Sequence, residues 1–285
     1  MTGAGRGRLL GGARAVRDRV IESAEKGISE GTEGGPEGDD RGPLVLVTGA
    51  TGGVGGGIVE AFVSAGARVV LAHRGSPDRV RELADAHGEA VAGVVRADLT
   101  IEADRERLVA ECEALGGVEA AVLAAGVQPV TPLRELRAED VRAMFEANVV
   151  ATFDLTRLLA GPMTARGGGA IVAIASVEGH RPAVGHAHYA AAKAALLMHA
   201  RAAALELGAA GIRINTVSPG LVDDGGLADR WPEGLASWTE AVPLRRPATP
   251  LDVGQACVFL ASDAASFVTG TDLVVDGGMS AVPAW

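Results

Sequence analysis

The chain has 285 residues, a net charge of −10 at pH 7 and a hydrophobic content of 48%. This composition excludes a chain that is disordered throughout, and the acidic balance argues against nucleic acid as a main partner. No apolar run of about 18 residues suggests a membrane span. We see no secretory signal pattern, and two cysteines are too few for a disulfide framework. The sequence therefore predicts a cytoplasmic protein.

Residues 1–42 differ from the rest of the chain because they are rich in glycine and charge and poor in large apolar residues. Apolar residues recur at helical spacing between Leu9 and Ala24, although Gly11 and Gly12 would weaken a helix there. Two interpretations stay open: a disordered tail with one marginal helix, or an amphipathic arm that docks on a neighbouring subunit or partner. Residues 29–42 have the composition of a linker. We therefore expect one folded domain over residues 43–285.

From Gly42 onward, short runs rich in Val, Ile and Leu alternate with longer helical segments. The predicted strands are Leu44–Thr48, Arg68–His73, Ala90–Ala97, Glu119–Ala124, Ala170–Ser176, Arg213–Ser218 and Asp272–Val275. The predicted helices cover residues 54–65, 77–87, 101–115, 133–161, 188–208 and 249–261. Strands without polar alternation are typical of a parallel sheet that is buried on both faces. The order of elements predicts a doubly wound α/β fold, with its ligand at the carboxyl ends of the strands.

A glycine-rich loop, Thr48–Gly57, follows the first predicted strand and opens a helix. Glycines there allow a tight turn and let backbone N–H groups approach a pyrophosphate, to which the helix N-terminus adds a partial positive charge. We expect the following loop residues to bind a dinucleotide: Gly49, Thr51, Gly53, Val54 and Gly55.

Tyr189 is the only tyrosine, and the only lysines are Lys193 and Lys26. Residues four apart on a helix share one face, so the phenol of Tyr189 and the ammonium of Lys193 should be neighbours. At a separation of about 4 Å and an effective dielectric constant of about 20, the ammonium supplies about 4 kcal/mol. We therefore expect it to lower the pKa of Tyr189 by roughly two units, which suits a general acid or base.

The loop spacing Thr-Gly-x-x-x-Gly-x-Gly, together with the Tyr189 and Lys193 pair, resembles the short-chain dehydrogenase/reductase family, and specifically its branch similar to 3-oxoacyl-acyl-carrier-protein reductases. The resemblance runs from about Gly42 to Trp285. It implies a single Rossmann-type, doubly wound parallel sheet of about seven strands with helices on both faces. It also implies a homo-oligomer, either a tetramer or a dimer.

The resemblance implies four catalytic residues, Asn148, Ser176, Tyr189 and Lys193. Hydride would pass between a nicotinamide and a carbonyl carbon while Tyr189 gives or takes the proton and Ser176 orients the oxygen. Lys193 would hold the nicotinamide ribose, and Asn148 would kink its helix and position a water. Asn is a poor residue within a helix, which makes a purely structural role for Asn148 less natural.

The resemblance also implies the remaining cofactor contacts. Asp98 would contact the adenine and Val222 would present its backbone to the carboxamide. His73 lies where enzymes that use NAD carry an acid, and Arg74 suits a 2′-phosphate, so NADP is favoured over NAD. A second basic residue expected in the loop is missing, since Gly52 stands there. The other residues expected at the cofactor are Leu99, Ala125, Gly126, Pro219, Tyr189 and Lys193.

The sequence departs from the family pattern at two places. Leu123 and Ala124 replace an Asn-Asn pair, which should cost stability or cofactor affinity more than chemistry. Asp224 replaces a threonine that reaches the cofactor phosphate, and an acid there is unfavourable unless it points away.

Two further features bear on the substrate. His186 and His188 lack partners at metal-ligand spacing, so we predict no metal and place them at the substrate mouth. The long connection Leu221–Pro247, which contains Trp231 and Trp238, is a predicted lid. Either tryptophan could instead pack at a subunit contact or on the underside of the lid.

The sequence thus predicts an oxidoreductase that acts on a ketone or secondary alcohol, with NADPH-dependent reduction of a 3-oxoacyl or other carbonyl substrate as the main hypothesis. The substrate would be a small molecule or one bound to an acyl carrier. An NAD-linked dehydrogenase of a cyclic, polyol or secondary-metabolite alcohol is the alternative within the same class. A dinucleotide-binding sensor or scaffold without catalysis is the alternative of another class, and the four catalytic residues argue against it.

Overall fold

The computed structural model describes residues 42–282, which form one seven-stranded parallel sheet in the order β3-β2-β1-β4-β5-β6-β7. The strands are β1 (Leu44–Thr48), β2 (Arg68–His73), β3 (Val91–Arg96), β4 (Ala120–Leu123), β5 (Gly169–Ile174), β6 (Ile212–Pro219) and β7 (Asp272–Val275). The order reverses between β1 and β4, as in a doubly wound fold. The predicted Rossmann-type sheet is confirmed, and each strand lies within two residues of its predicted bounds.

Helices cover both faces of this sheet. They are α1 (Gly55–Ser64), α2 (Pro77–His87), α3 (Glu102–Ala114), α4 (Ala138–Phe145), α5 (Ala151–Ala165), α6 (Ala187–Leu207), α7 (Leu227–Arg230), α8 (Pro232–Ala241) and α9 (Pro250–Ala261). Side chains alternate between the faces along each strand. Leu46 packs in a core that includes residues of α3, α5 and α6, whereas Val47 packs in a core with α1 and α9. Cys112 and Cys257 are buried in different cores and are not paired.

Helices α1 and α9 approach each other closely through two glycines. A Cβ atom on Gly57 would lie 2.3 Å from the backbone of Pro250, and one on Gly254 would lie 2.4 Å from the carbonyl oxygen of Gly57. Any larger residue at either position would push the helices apart. This contact fixes α1, whose N-terminus follows the glycine-rich loop.

Two predicted segments differ from the structure. The segment predicted as one helix over 133–161 begins at Ala138 and continues to Ala165, and a π turn at Glu146–Val150 interrupts it. The predicted lid contains two helices, α7 and α8, that the sequence analysis did not find. Glycines and prolines before α7 and within α8, at Gly225, Gly226, Pro232 and Gly234, hide these short helices from pattern analysis because such residues are typical of loops.

The predictions for the N-terminal extension lie outside the described residues. Within residues 42–282, no helix combines the length and the hydropathy that crossing a membrane requires.

Candidate active site

Ser176 and Tyr189 meet beyond the carboxyl end of β5. Ser176 follows the strand by two residues, and its Oγ accepts the Glu178 N–H at 3.1 Å, which fixes the hydroxyl. Tyr189 lies in the first turn of α6 and is buried, and the Ser176 hydroxyl is close enough to lower the pKa of its phenol. The two hydroxyl groups therefore lie side by side at the edge of the sheet where a doubly wound fold binds its ligand.

Lys193 lies one helical turn after Tyr189 and is also buried. Its Nζ is 5.5 Å from the centre of the Tyr189 ring and donates a hydrogen bond to the Ile174 carbonyl at 2.7 Å. The phenol and the amine thus face the same end of β5, as expected from their spacing in the sequence.

The pKa values of this pair differ from the sequence-based expectation. Burial raises the pKa of Tyr189 to about 12, while the hydrogen bond from Ser176 lowers it and the charge of Glu178 raises it further. Burial lowers the pKa of Lys193 to about 8. The expectation of a lowered Tyr189 pKa is therefore wrong. The pKa is raised instead, because removal of the phenol from water outweighs the influences that lower it.

Asn148 lies at the centre of the π turn and is buried. Its side chain exchanges two hydrogen bonds of 3.0 Å with the backbone of Val127. A Cβ atom on Gly126 would lie 2.2 Å from Asn148 Oδ1 and 3.8 Å from Lys193 Nζ, so glycine lets these groups approach the loop after β4. The structure therefore brings Asn148 next to Lys193, and the predicted distortion of its helix is present as a π turn.

The glycine-rich loop fits the phosphates of a dinucleotide. Gly49 has φ +65°, and a Cβ atom there would lie 2.8 Å from the Ala125 backbone. A Cβ atom on Gly55 would lie 2.2 Å from the Gly49 carbonyl oxygen, so the turn is too tight for side chains at either position. Thr51 and Gly53 lie on this turn, and Val54 directly precedes α1. The exposed turn and the helix N-terminus present N–H groups of the kind that can bind a pyrophosphate.

Thr48 holds the segment in which Leu123 and Ala124 stand in place of the family's Asn-Asn pair. Its buried Oγ1 accepts hydrogen bonds from the Ala124 N–H at 3.0 Å and the Ala125 N–H at 3.1 Å. These bonds hold the segment after β4 against the end of β1. The segment therefore keeps its place without amide side chains.

Two arginines surround the position expected for the adenosine ribose. His73 is buried, its Nδ1 has no hydrogen-bond partner, and burial together with the charge of Arg96 lowers its pKa. Arg74 is exposed at the end of β2, and Arg96, which pairs with His73 in the sheet register, donates from Nε to the Arg74 carbonyl at 3.3 Å. Sequence analysis missed Arg96, although a basic residue at the end of β3 was a visible signal.

Asp98 and Leu99 lie at the expected adenine edge, directly after β3. Asp98 Oδ1 accepts two hydrogen bonds from Thr100, which lower the pKa of that carboxyl group. The Leu99 carbonyl accepts from Arg105 at 2.7 Å. The turn is thus fixed by its own neighbours.

Asp224 lies against the glycine-rich loop and does not point away from it. Its Oδ2 is 3.1 Å from the position of a Cβ atom on Gly53, and its Oδ1 accepts from Arg230 at 2.5 Å. This bond lowers the pKa of Asp224, which keeps the group ionised. The arginine on α7 therefore neutralises an acid at the expected phosphate position.

Pro219 ends β6, and Val222 forms a parallel bridge with Ala248. The bridging bonds use the Leu221 carbonyl and the Asp223 N–H. In a parallel bridge the N–H and carbonyl of the central residue point the other way, so those of Val222 are available to a carboxamide. A Cβ atom on Gly220, between Pro219 and Val222, would lie 2.8 Å from the Trp238 ring. This tryptophan therefore lies on the inner side of the lid, against the end of β6.

His186 and Glu178 form a pair that sequence analysis missed. His186 Nδ1 lies 2.8 and 3.0 Å from the two Glu178 oxygens, and its ring stands edge-on to Tyr189 with centroids 5.9 Å apart. The one sequence signal for this pair is that Glu178 lies close to Ser176 and His186 lies close to Tyr189 along the chain. Among residues 42–282, no three His, Cys, Asp or Glu side chains are grouped so as to hold a metal ion.

Comparison with known proteins agrees with this geometry. The family model described as enoyl-(acyl carrier protein) reductase matches residues 49–280. The 2,5-dichloro-2,5-cyclohexadiene-1,4-diol dehydrogenase LinX of Sphingobium indicum is 32% identical over 84% of this chain and 96% of its own. The 3-oxoacyl-[acyl-carrier-protein] reductase FabG of Chlamydia muridarum is 31% identical over 82% of this chain and 96% of its own.

The chain belongs to the short-chain dehydrogenase/reductase family. A solved member, a 7α-hydroxysteroid dehydrogenase in complex with NADH and 7-oxo glycochenodeoxycholic acid, superposes with a TM-score of 0.78 at 32% identity, covering 83% of this chain and 93% of that one. As a family member, the protein is an oxidoreductase that acts on alcohol or carbonyl groups of small molecules and binds NAD(P).

Proposed function

We propose that the protein interconverts a secondary alcohol and a ketone with NADP(H), using Tyr189 as its general acid or base. The observation that carries the proposal is the group of Ser176, Tyr189 and Lys193, three buried side chains of which the lysine Nζ lies 5.5 Å from the centre of the phenol ring. This arrangement supports the proposal because a substrate oxygen could contact both a proton donor and an orienting hydroxyl.

The proton chemistry follows from this arrangement. The bound nicotinamide supplies or accepts the hydride. Because burial raises the pKa of Tyr189 to about 12, the phenol carries a proton at neutral pH and can donate it to the oxygen of a ketone as that oxygen becomes an alkoxide. Ser176 is held by the Glu178 N–H and orients that oxygen. In the oxidative direction Tyr189 must lose its proton, so we expect the rate of alcohol oxidation to rise with pH.

Replacement of Tyr189 by Phe tests the function. We expect Tyr189→Phe to lose catalysis by a factor of about 10²–10⁴, the usual contribution of a general acid, while it still binds NADPH. The measurement is NADPH oxidation with a panel of ketones, beside a fluorescence titration of NADPH. Equal activity of the variant and the wild type would reject Tyr189 as the acid. Inertness of both toward every ketone and alcohol, with intact cofactor binding, would favour the sensor hypothesis.

Support for NADP over NAD comes from the end of β2. Arg74 is exposed there, and Arg96 is its neighbour. Neither His73, which ends β2, nor Arg74, which follows it, is an acid. Two guanidinium groups suit a 2′-phosphate, whereas a free ribose hydroxyl is usually bound by a carboxylate. We expect Arg74→Ala to weaken NADPH binding at least tenfold and NADH binding less than twofold, as measured by titration. Equal losses for both cofactors would reject the assignment.

Reduction of a 3-oxoacyl thioester is the second candidate. The acyl-carrier description of the matching family model and the likeness to a 3-oxoacyl reductase support it. An assay with a 3-oxoacyl thioester beside a simple cyclic ketone distinguishes the candidates.

We also propose that the protein is a dimer or tetramer of identical chains. Large apolar side chains are exposed on α5 and α6, namely Phe153, Met198 and Leu205, and beside β7 at Phe267. Patches of this kind on helices and an edge strand are typical of subunit contacts. Light scattering of the full chain should give a mass of two or four chains, and a monomer would reject the proposal.

A further inference from the structure

A polar cluster lies beside Ser176 and Tyr189, and its side chains contact none of the reacting atoms in the reaction proposed above. It consists of Gln128, Glu178 and His186, which come from three segments: after β4, after β5 and just before α6. Gln128 Nε2 donates to Glu178 Oε1 at 3.2 Å, and both Glu178 oxygens lie within 3.0 Å of His186 Nδ1. The carboxylate and the imidazole therefore hold each other in one orientation.

The second ring nitrogen of His186 is unpaired. Its Nε2 is buried and has no hydrogen-bond partner among the described residues. Buried polar atoms are nearly always paired, because an unpaired one loses its bonds to water without replacement. The ring stands edge-on to Tyr189, with 5.9 Å between centroids. The ring that carries the unpaired nitrogen is therefore a direct neighbour of the phenol that contacts the reacting oxygen.

The chemistry of the histidine limits the group that can meet Nε2. Glu178 takes the Nδ1 proton, so Nε2 is an acceptor when the ring is neutral and a donor when it is protonated. A hydroxyl group fits both states because it donates and accepts, whereas a carbonyl or thioester oxygen only accepts. The charge of Glu178 disfavours an anionic group at the same place.

We propose that His186, oriented by Glu178, is a specificity-determining residue that binds a hydroxyl on the carbon next to the reacting one. The substrate class is then a vicinal diol and the α-hydroxy ketone that forms from it. This inference rests on the proposed function, because the reacting oxygen is the one that contacts Ser176 and Tyr189.

The test compares matched substrates that differ by one hydroxyl. Oxidation of cis- and trans-1,2-cyclohexanediol is measured beside cyclohexanol, and reduction of 2-hydroxycyclohexanone beside cyclohexanone, with kcat and KM determined separately. We expect the wild type to prefer one diol and the hydroxy ketone at least tenfold in kcat/KM, because binding sites built to pair a hydroxyl reject the analogue that lacks it.

Three variants locate this preference. His186→Phe keeps an aromatic ring beside Tyr189 but removes both nitrogens, so the preference, taken as the ratio of kcat/KM for the diol to kcat/KM for cyclohexanol, should fall to within twofold of unity. His186→Gln, which can donate and accept, should keep most of the preference. His87→Phe is the control, since His87 ends α2 near the amino ends of the strands and should leave the preference unchanged.

The outcomes separate this inference from the proposed function. A wild type without preference, or a preference that survives in His186→Phe, overturns the inference while the activity itself stands. A preference lost equally in His87→Phe also overturns it. If no alcohol or ketone reacts, or if Tyr189→Phe is as active as the wild type, the proposed function itself fails. If His186→Phe does not fold, His186→Gln and His186→Leu replace it. Preference kept in His186→Gln and lost in His186→Leu supports the inference, and preference kept in His186→Leu overturns it.

Discussion

The catalytic end and the phosphate end of the site are built in opposite ways. At the catalytic end, Tyr189 and Lys193 are buried, and the lysine amine is held by a backbone carbonyl. At the phosphate end, Asp224 and Arg230 form a partly exposed ion pair against the glycine-rich loop. In the first arrangement we expect exchange of either residue to cost activity, whereas the second accepts an unusual acid because a neighbouring arginine neutralises it. The departure from the family pattern at Asp224 therefore lies where a second side chain, Arg230, can neutralise the added charge.

The largest expected effect comes from Lys193→Met at the catalytic end. Loss of the amine should lower kcat about 10²–10⁴-fold and yet stabilise the fold. A shift of the Lys193 pKa from 10.5 to about 8 corresponds to about 3 kcal/mol, of which loss of the hydrogen bond to Ile174 returns about 1 kcal/mol. We therefore expect the variant to gain about 2 kcal/mol in urea unfolding at pH 7.

The pH dependence checks the cause of this gain. The unfolded chain keeps the lysine proton up to about pH 10.5, whereas the folded chain releases it near 8. The advantage of Lys193→Met should therefore disappear as the pH rises from about 8 to about 10.5. Leu197→Met on the same helix is the control, with little change at any pH. A variant less stable than the wild type at pH 7 would contradict the argument.

A smaller effect is expected at Thr48, which joins the two ends of the site. Thr48→Val keeps the shape but removes the oxygen that accepts the Ala124 and Ala125 N–H groups. We expect a loss of about 2 kcal/mol in the free energy of unfolding, the usual cost of unpaired buried donors. Thr48→Ser keeps the oxygen and should lose less, as measured by thermal denaturation. Equal losses for the two variants would show that the methyl group matters more than the hydrogen bonds.

The smallest effect is expected from Asp224→Thr. Removal of the acid should tighten NADPH binding about three- to fivefold, because exposed charges contribute up to about 1 kcal/mol. Arg230→Gln should weaken binding by a similar factor, since it leaves the acid unneutralised beside the phosphates. Both effects should shrink in high salt. Weaker binding by Asp224→Thr in a fluorescence titration would mean that the ion pair serves to position α7.

The fold and the catalytic group could be predicted because they depend on local pattern. Buried strands such as Leu44–Thr48 are visible as apolar runs, and the spacing of Tyr189 and Lys193 is fixed by one helix. The pKa of Tyr189 could not be predicted, because it depends on how far the phenol is removed from water by packing. Nor could the pairing of Glu178 with His186 or of Asp224 with Arg230, since each bond depends on how two loop segments fold back.

The π turn at Glu146–Val150 has a consequence for how this chain tolerates deletion. A π turn contains one residue more than the α turns on either side of it. Loss of any one residue between Glu146 and Val150 would convert the π turn into an α turn, which completes the same rotation with one residue fewer. The helical segments on either side would keep their orientation, but the wide turn that carries Asn148 would be lost. The amide that exchanges two hydrogen bonds with Val127 would then leave its partner. A deletion of a single codon here should abolish activity in a helix that is otherwise more regular than before.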